Sequence, residues 1–406
     1  MRVFNQKKIR YARPIDAVGR LVFRLFKNKS ALAQPPLRHL APQEIIVLES
    51  HLIGDVILAI PALQALRAKF RSSRITLVSG SWAKELLDSQ NVVDEFVEVQ
   101  FPWSTYDYSY SNLRNMMRVL CELRRHRWDL GIDMRGDFRN TAFLFLTGAN
   151  RRVGYNFTGG EYLLTDVVQD DPHLKHIVDY NLHVVEELGC TIPTREPSLL
   201  VAENEIENAR RALNLSGESD EAVIGIHPGA SKPLRHWKAE RFAELADMFL
   251  DNEKNHVLLF RGPGDEEVVK GILSLMKRTP RVVSQPLYHL PAIFKCCNII
   301  IGLDSGAVHI AAAVDVPTVV LFGPADPERV KPISDKTSII IQEGYWCRPC
   351  DQVNCMQPDN NCMDALQVKH VYLSAVSLME KSSSLKKKTE IIASWAHSQT
   401  KESTNE

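Results

Sequence analysis

The sequence predicts an α/β protein of two Rossmann-like domains facing a cleft. Three observations carry this expectation. Short β-rich runs alternate with helical patterns from Glu44 onward, a second such series starts at Ala222, and a polar, proline-containing stretch lies between them. Strands interleaved with helices imply a parallel sheet covered on both faces. Two open α/β domains in succession place their strand ends around a cleft, where ligands of this class bind. The length of 406 residues fits two or three domains.

The first domain is expected over 44–192. Glu44–Ser50 (EIIVLES) is its first strand, and Ala59–Phe70 is a helix with Pro61 near its first turn, where proline is tolerated. Ile75–Ser79, Glu95–Val99 and Asp129–Asp133 read as further strands. A linker is expected over 193–220, marked by Pro193, Pro197 and the polar run 216–220. The second domain, 221–380, has strand candidates Ala222–Ile226, His256–Phe260, Arg281–Val283, Asn298–Gly302 and Thr318–Phe322. From 381 to 406 the chain is rich in Ser, Lys and Thr and reads as a polar tail.

Residues 1–43 form a basic leader with ten Lys/Arg and one acid, Asp16. Ile15, Val18, Val22 and Phe26 recur at helical spacing, with Arg20, Arg24 and Lys27 on another face. Two readings stand: an amphipathic helix on an anionic membrane surface, or a helix packed on its own domain. Lysine plus arginine equal aspartate plus glutamate at 49 each, which argues against a nucleic-acid partner, since such binding runs on excess positive charge. No apolar run reaches the roughly 20 residues of a membrane helix, and no signal-peptide pattern opens the chain. Sparse cysteine outside one late cluster suits a reducing compartment, so a cytoplasmic location is expected, peripheral to the inner membrane if the leader docks there.

Five constellations carry chemistry. In His51-Leu-Ile-Gly54-Asp55, glycine permits a tight turn and Asp55 starts the following helix. Its carboxylate either caps the helix or takes a proton from an acceptor hydroxyl as general base. In His227-Pro-Gly229-Ala-Ser231-Lys232-Pro-Leu-Arg235-His-Trp237, small residues, a hydroxyl and two cations converge after a strand. That combination suits a phosphate, against the alternative of an ordinary βα loop with surface cations. In Gly302-Leu-Asp304-Ser305-Gly306-Ala-Val-His309, Ser305 is a natural N-cap and Gly306 leaves room for a diphosphate above the helix N-terminus. His309, one turn on, is either structural or a ligand contact. In Arg261-Gly-Pro-Gly264-Asp265-Glu266, Glu266 either accepts from ribose hydroxyls or is a helix-start acid. Finally, Cys347-x2-Cys350-x4-Cys355-x6-Cys362 places four thiols within 16 residues. A structural zinc site, disulfides and loop-packing thiols all remain open, because the spacing matches no standard knuckle.

Certain absences narrow the chemistry. No GxGxxG and no P-loop signature appear, against a nicotinamide enzyme or an ATPase. No Asp-x-Asp stands at a strand end, so charge on a leaving diphosphate is expected to be met by cations and helix dipoles, with no catalytic metal and no required cofactor.

Taken in order, His51-x2-Gly-Asp55, Ile60-Pro-Ala-Leu63, His227-Pro-Gly-Ala230, Arg235-x-Trp237, Asp304-Ser-Gly-x2-His309, Phe322-Gly-Pro324 and Asp326-Pro327 resemble glycosyltransferase family 9, the ADP-heptose:lipopolysaccharide heptosyltransferases. The resemblance spans about residues 44–375. The late cysteine-rich segment is similar to that of the heptosyltransferase II branch. The resemblance implies a GT-B fold, inversion at the anomeric carbon, no divalent metal, a nucleotide-diphosphate sugar as donor and a lipopolysaccharide core or related glycolipid as acceptor. It implies Asp55 as catalytic base. It places Ser231 and Arg235 by the donor phosphates, Asp304, Ser305, Gly306 and His309 in the nucleotide-diphosphate loop, and Glu266 at the ribose. A nucleotide-sugar epimerase and a non-catalytic glycan- or nucleotide-binding protein of the same architecture are the rival classes.

Overall fold

The computed structural model describes residues 16, 19–21, 35–215, 221–350 and 354–382. The leader positions Ile15, Val18, Val22 and Phe26, with Arg24 and Lys27, lie outside these residues, as does the tail beyond 382. The chain divides into two compact units. The first runs to Leu200 and also takes in Asp326–Ile333; the second holds Val201–Ala325, Ser334–Arg348 and the described residues from 354.

The first unit is a six-stranded parallel sheet in the order β3-β2-β1-β4-β5-β6. Its strands are β1 (Glu44–Leu48), β2 (Arg74–Ser79), β3 (Glu95–Glu98), β4 (Leu130–Asp133), β5 (Arg151–Gly154) and β6 (Asp166–Val167). Ile45 to Leu48 are fully buried, as a central parallel strand covered on both faces requires. β1 pairs with both β2 and β4, and the register Leu48↔Asp133 brings the carboxyl ends of β1 and β4 side by side. A cluster around Ile46, Leu48, Phe101, Leu120, Trp128 and Phe143 fills one face.

The second unit repeats the plan with β7 (Val223–His227), β8 (His256–Phe260), β9 (Arg281–Val283), β10 (Ile299–Leu303), β11 (Thr318–Phe322) and β12 (Thr337–Ile341), in the order β12-β11-β10-β7-β8-β9. Both sheets therefore have the 3-2-1-4-5-6 arrangement of a doubly wound fold. In each, the strand order reverses beside the first strand, between β1 and β4 and between β7 and β10. Ligands of open α/β sheets bind outside the strand ends at that switch point.

Several elements differ from expectation. The first helix is Ile53–Lys69, six residues longer at its start than the Ala59–Phe70 pattern, so Pro61 sits in its interior. Residues from Val56 to Leu66 are almost all buried, so the helix shows no polar face from which periodicity could fix its start. The strands β5, β6 and β12 were not expected. β5 opens on two arginines, β6 is two residues long, and every residue of β12 is half-buried at a sheet edge. The segment read as linker contains the helix Glu203–Ala212, which belongs with the second unit: Arg281 donates to the Ala212 carbonyl at 2.8 Å. Within the leader, Asp16 Oδ1 accepts from the Gly160 amide at 2.7 Å, and Arg20 pairs with Asp16 at 2.8 Å and Glu161 at 3.3 Å. This part of the leader packs on the first unit, while Leu21 is exposed.

His176 fastens Asp326–Ile333 to the first unit. Its Nε2–H donates to the Lys331 carbonyl at 2.9 Å, while Nδ1 accepts from the Val178 amide at 3.2 Å and caps the helix Ile177–Glu187. Both ring nitrogens are committed to the neutral form, and burial pushes the imidazole down to about 4 from 6.5. A depressed histidine contributes stability that is present above pH 6.5 and is lost as pH falls toward 4. The expected result is that His176→Ala lowers the melting temperature more at pH 7 than at pH 5. Equal losses at both would show that the ring titrates alike in the folded and unfolded chain.

Candidate active site

In the first unit, the turn after β1 and the loop after β4 meet at the switch point. Asp55 is the third residue of the helix Ile53–Lys69, and its Oδ2 accepts from the Leu52 amide at 3.2 Å. The capping reading of Asp55 is thus correct, yet it uses only part of the carboxylate. Oδ1 lies 3.0 Å from Arg135 Nη1. Arg135 is 6% exposed and follows β4, where its own amide donates to Asp133 Oδ1 at 3.0 Å. Asp133 also accepts from Thr141 Oγ1 at 3.1 Å, and burial pushes its carboxyl up to about 6. Behind Asp55, at the end of β1, Glu49 is 1% exposed. Its Oε1 accepts from the His51 amide at 3.2 Å and lies 3.9 Å from Arg135 Nε. Burial pushes Glu49 up to about 7, against the opposing pull of Arg135. Burial, with the Arg135 charge next, holds the His51 imidazole well below its usual range and hence neutral.

Two further cations face this site. Arg139 pairs with Asp137 at 2.7 Å and lies over the Trp103 ring at 5.5 Å. Arg329, in the turn of helix Pro327–Val330, is pulled below the ordinary arginine range by burial and by Arg135. Sequence reasoning did not single out Arg135, Glu49, Asp133 or Arg329. Arg135 had a signal, a cation two residues beyond a strand end. Arg329 had none, because it comes from a segment far along the chain.

In the second unit, Arg235 joins the second and third constellations. It closes the short helical turn Pro233–Arg235 after β7, and its Nη1 reaches both the carboxylate and the carbonyl of Asp304 at 3.0 Å. Asp304 is buried at the end of β10, beside β7 in the sheet. Ser305 occupies the N-cap position of helix Gly306–Ala313, but its side chain makes no capping bond. Its Oγ is buried with no hydrogen-bond partner, and so stands ready for a ligand at a helix N-terminus. Ser231 is exposed, Lys232 half-buried, and His309 buried among Ala307–Ala313 on the small-residue helix.

The fourth constellation joins the same end. A Cβ on Gly229 would lie 2.3 Å from Asp265 Oδ2, so any larger residue would push that carboxylate from its place against the loop. Asp265 also accepts from the Gly262 amide at 2.9 Å and lies 4.0 Å from His227 Nε2. Glu266 opens helix Glu266–Leu275 and lines a cavity of about 940 Å³ with Arg261, Ser284, Gln285 and Tyr288.

Cys347, Cys350, Cys355 and Cys362 form no disulfide with one another, and each is half-buried. Among the described residues no group of three or more His, Cys, Asp or Glu is arranged to hold a metal ion. Among these residues, too, no helix is long and apolar enough to cross a membrane.

The model of glycosyltransferase family 9 (heptosyltransferase) matches residues 116–359. Lipopolysaccharide heptosyltransferase 2 of Escherichia coli K12 is 25% identical over 318 residues, covering 74% of this chain and 89% of that protein. Among solved structures, a family 9 glycosyl transferase from Veillonella parvula superposes with a TM-score of 0.72 at 24% identity, covering 84% of this chain and 98% of that one. ADP-heptose LPS heptosyltransferase II of E. coli gives 0.68 at 22% identity, covering 84% and 99%. The two doubly wound units are those of the GT-B fold. With its family matched over more than half its length, this chain belongs to glycosyltransferase family 9 and is a glycosyltransferase.

Proposed function

We propose that the protein transfers a heptose, or a closely related sugar, from an ADP-sugar to a lipopolysaccharide core or related glycolipid, with inversion and without a catalytic metal. The observation that carries this reading is the pairing of Arg235 with Asp304 beside the unpartnered Ser305 hydroxyl. It gathers a cation, a free donor and a helix N-terminus where a diphosphate would be held. The similarity to heptosyltransferase 2 proteins supports the sugar and the acceptor. The cavity lined by Glu266 is large enough for the nucleoside, with Glu266 an acceptor for ribose hydroxyls.

In the reaction, an acceptor hydroxyl oxygen bonds to the anomeric carbon while the bond from that carbon to the diphosphate oxygen breaks. The hydroxyl proton passes to Asp55, and the electron pair of the broken bond leaves with the diphosphate. Arg235, Lys232, Ser231 and the amides at the start of helix Gly306–Ala313 stabilise that departing charge, a contribution that is usually the largest in such catalysis. Asp55 is a base in the first unit whose approach is ordered by Arg135. The basic leader adds an attraction to anionic lipid, about 1 kcal/mol per basic residue near the surface, where such an acceptor would be anchored.

The test is a panel of nucleotide sugars offered with core glycolipids, reading released nucleotide and product mass. Turnover is expected with ADP-heptose and to persist in EDTA. Immediate loss in EDTA with the fold intact, restored by magnesium or manganese, would overturn the metal-free mechanism. A slow loss accompanied by unfolding would instead point to a structural metal at the cysteines.

A further inference from the structure

We propose that Glu49 is a positioning residue for the transfer reaction, which through Arg135 sets how strongly Asp55 holds a proton. This rests on the reading of Asp55 as the base. One buried guanidinium faces two carboxylates: Nη1 is 3.0 Å from Asp55 Oδ1, and Nε is 3.9 Å from Glu49 Oε1. Neither Arg135 Nε nor Glu49 Oε2 has a hydrogen-bond partner, although both are buried. A carboxyl left so poorly satisfied at a strand end costs stability, and a packing role would be better filled by an apolar side chain. Its electrostatic effect on Arg135 accounts for it.

Protonated Glu49 leaves more of the guanidinium charge to Asp55, which weakens Asp55 as a base. Ionised Glu49 competes for that charge and raises the affinity of Asp55 for the acceptor proton. The groups facing Glu49 are Arg135 and Asp133 from the β4 end, Asp55 from the first helix, and His51 from the intervening turn, whose Nδ1 is 4.0 Å away. Arg329 faces Arg135 and Asp55 from helix Pro327–Val330, and Arg139 is already neutralised by Asp137. His51 is neutral throughout the working range, so the switch lies in Glu49.

Glu49 is held near 7, above its ordinary 4.5. The stability that protonated Glu49 contributes is therefore present below pH 4.5 and is lost as pH rises through about 7. Turnover should rise over that same upper step. Glu49→Gln, which is nearly isosteric, fixes the neutral state.

Carbon NMR of the full-length protein, carboxyl-labelled on Asp and Glu, tests this without substrate. The Asp55 signal is identified by its absence in Asp55→Asn. In Glu49→Gln its midpoint should fall by about one pH unit. The melting temperature of the variant should gain on wild type between pH 5 and pH 8. Turnover with ADP-heptose should be about three- to tenfold below wild type at pH 8 and flat from pH 6 to 8, while donor KM is unchanged. An unmoved Asp55 midpoint, or a rate profile parallel to that of wild type, overturns the proposal even if Asp55→Asn is inactive. Full activity of Asp55→Asn overturns the Asp55 reading instead, and this proposal with it. Should Glu49→Gln fail to fold, wild type decides: a single-step Asp55 titration and no inflection in rate near pH 7 would refute it.

Discussion

Asp55→Asn is expected to reduce transfer by roughly 10²–10⁴, the usual effect of deleting a general base. The amide keeps the shape of the carboxylate and can still accept from the Leu52 amide, so the start of helix Ile53–Lys69 should persist. It cannot take the acceptor proton. The substitution also removes one partner of a nearly buried guanidinium. Arg135 then keeps only the longer contact to Glu49 and its backbone tie to Asp133. A charge-assisted hydrogen bond of this kind is worth on the order of 1.5–3 kcal/mol, so a lower melting temperature should accompany the lost activity. Asp55→Ala should be the less stable of the two, since it loses the cap as well. Nucleoside diphosphate binding, proposed for the second unit, should change little. Initial-rate assays beside calorimetry separate these outcomes, and near wild-type turnover in Asp55→Asn would remove Asp55 from the chemistry.

Arg235→Ala is expected to weaken nucleoside diphosphate binding by about 1.5–3 kcal/mol, roughly 10- to 150-fold in Kd. Two effects add. The cation is lost from the proposed phosphate site, and Asp304, 7% exposed at its side chain, loses an ion-pair partner. With that positive charge gone, the Asp304 carboxylate beside the Ser305 hydroxyl repels the diphosphate more strongly. Arg235→Lys should recover only part of the loss, because a single ammonium does not match the guanidinium that reaches the Asp304 carboxylate and carbonyl together. Titration calorimetry with ADP reads this directly. Unchanged binding and turnover would move the phosphate site elsewhere in the second unit.

The sequence by itself determined the two α/β units and most of their strands, and it singled out the residues proposed to hold the donor. Alternation of β-rich and helical runs is a local property, and so are a glycine turn at a strand end and a serine before a helix. For the same reason Asp55, Arg235 and Asp304–Ser305 were legible as candidates, each lying in the turn or loop that follows a strand. The start of the helix Ile53–Lys69 was not, because a helix buried on nearly all sides shows no amphipathic edge. Nor were β5, with its two arginines, or the two-residue β6, which are fixed by pairing with neighbours rather than by their own composition.

Only the tertiary structure decided what the site residues do to one another. Strand register at the switch points sets Leu48 beside Asp133 and Gly302 beside His227. That brings Arg135 to Asp55 across 80 residues of chain, and Arg235 to Asp304 across 69. It also decided that the Ser305 hydroxyl does not cap its helix, and that Glu49 is a buried acid held near neutrality. Burial and charge pairing depend on what the fold packs around a side chain, and no window of sequence contains that information.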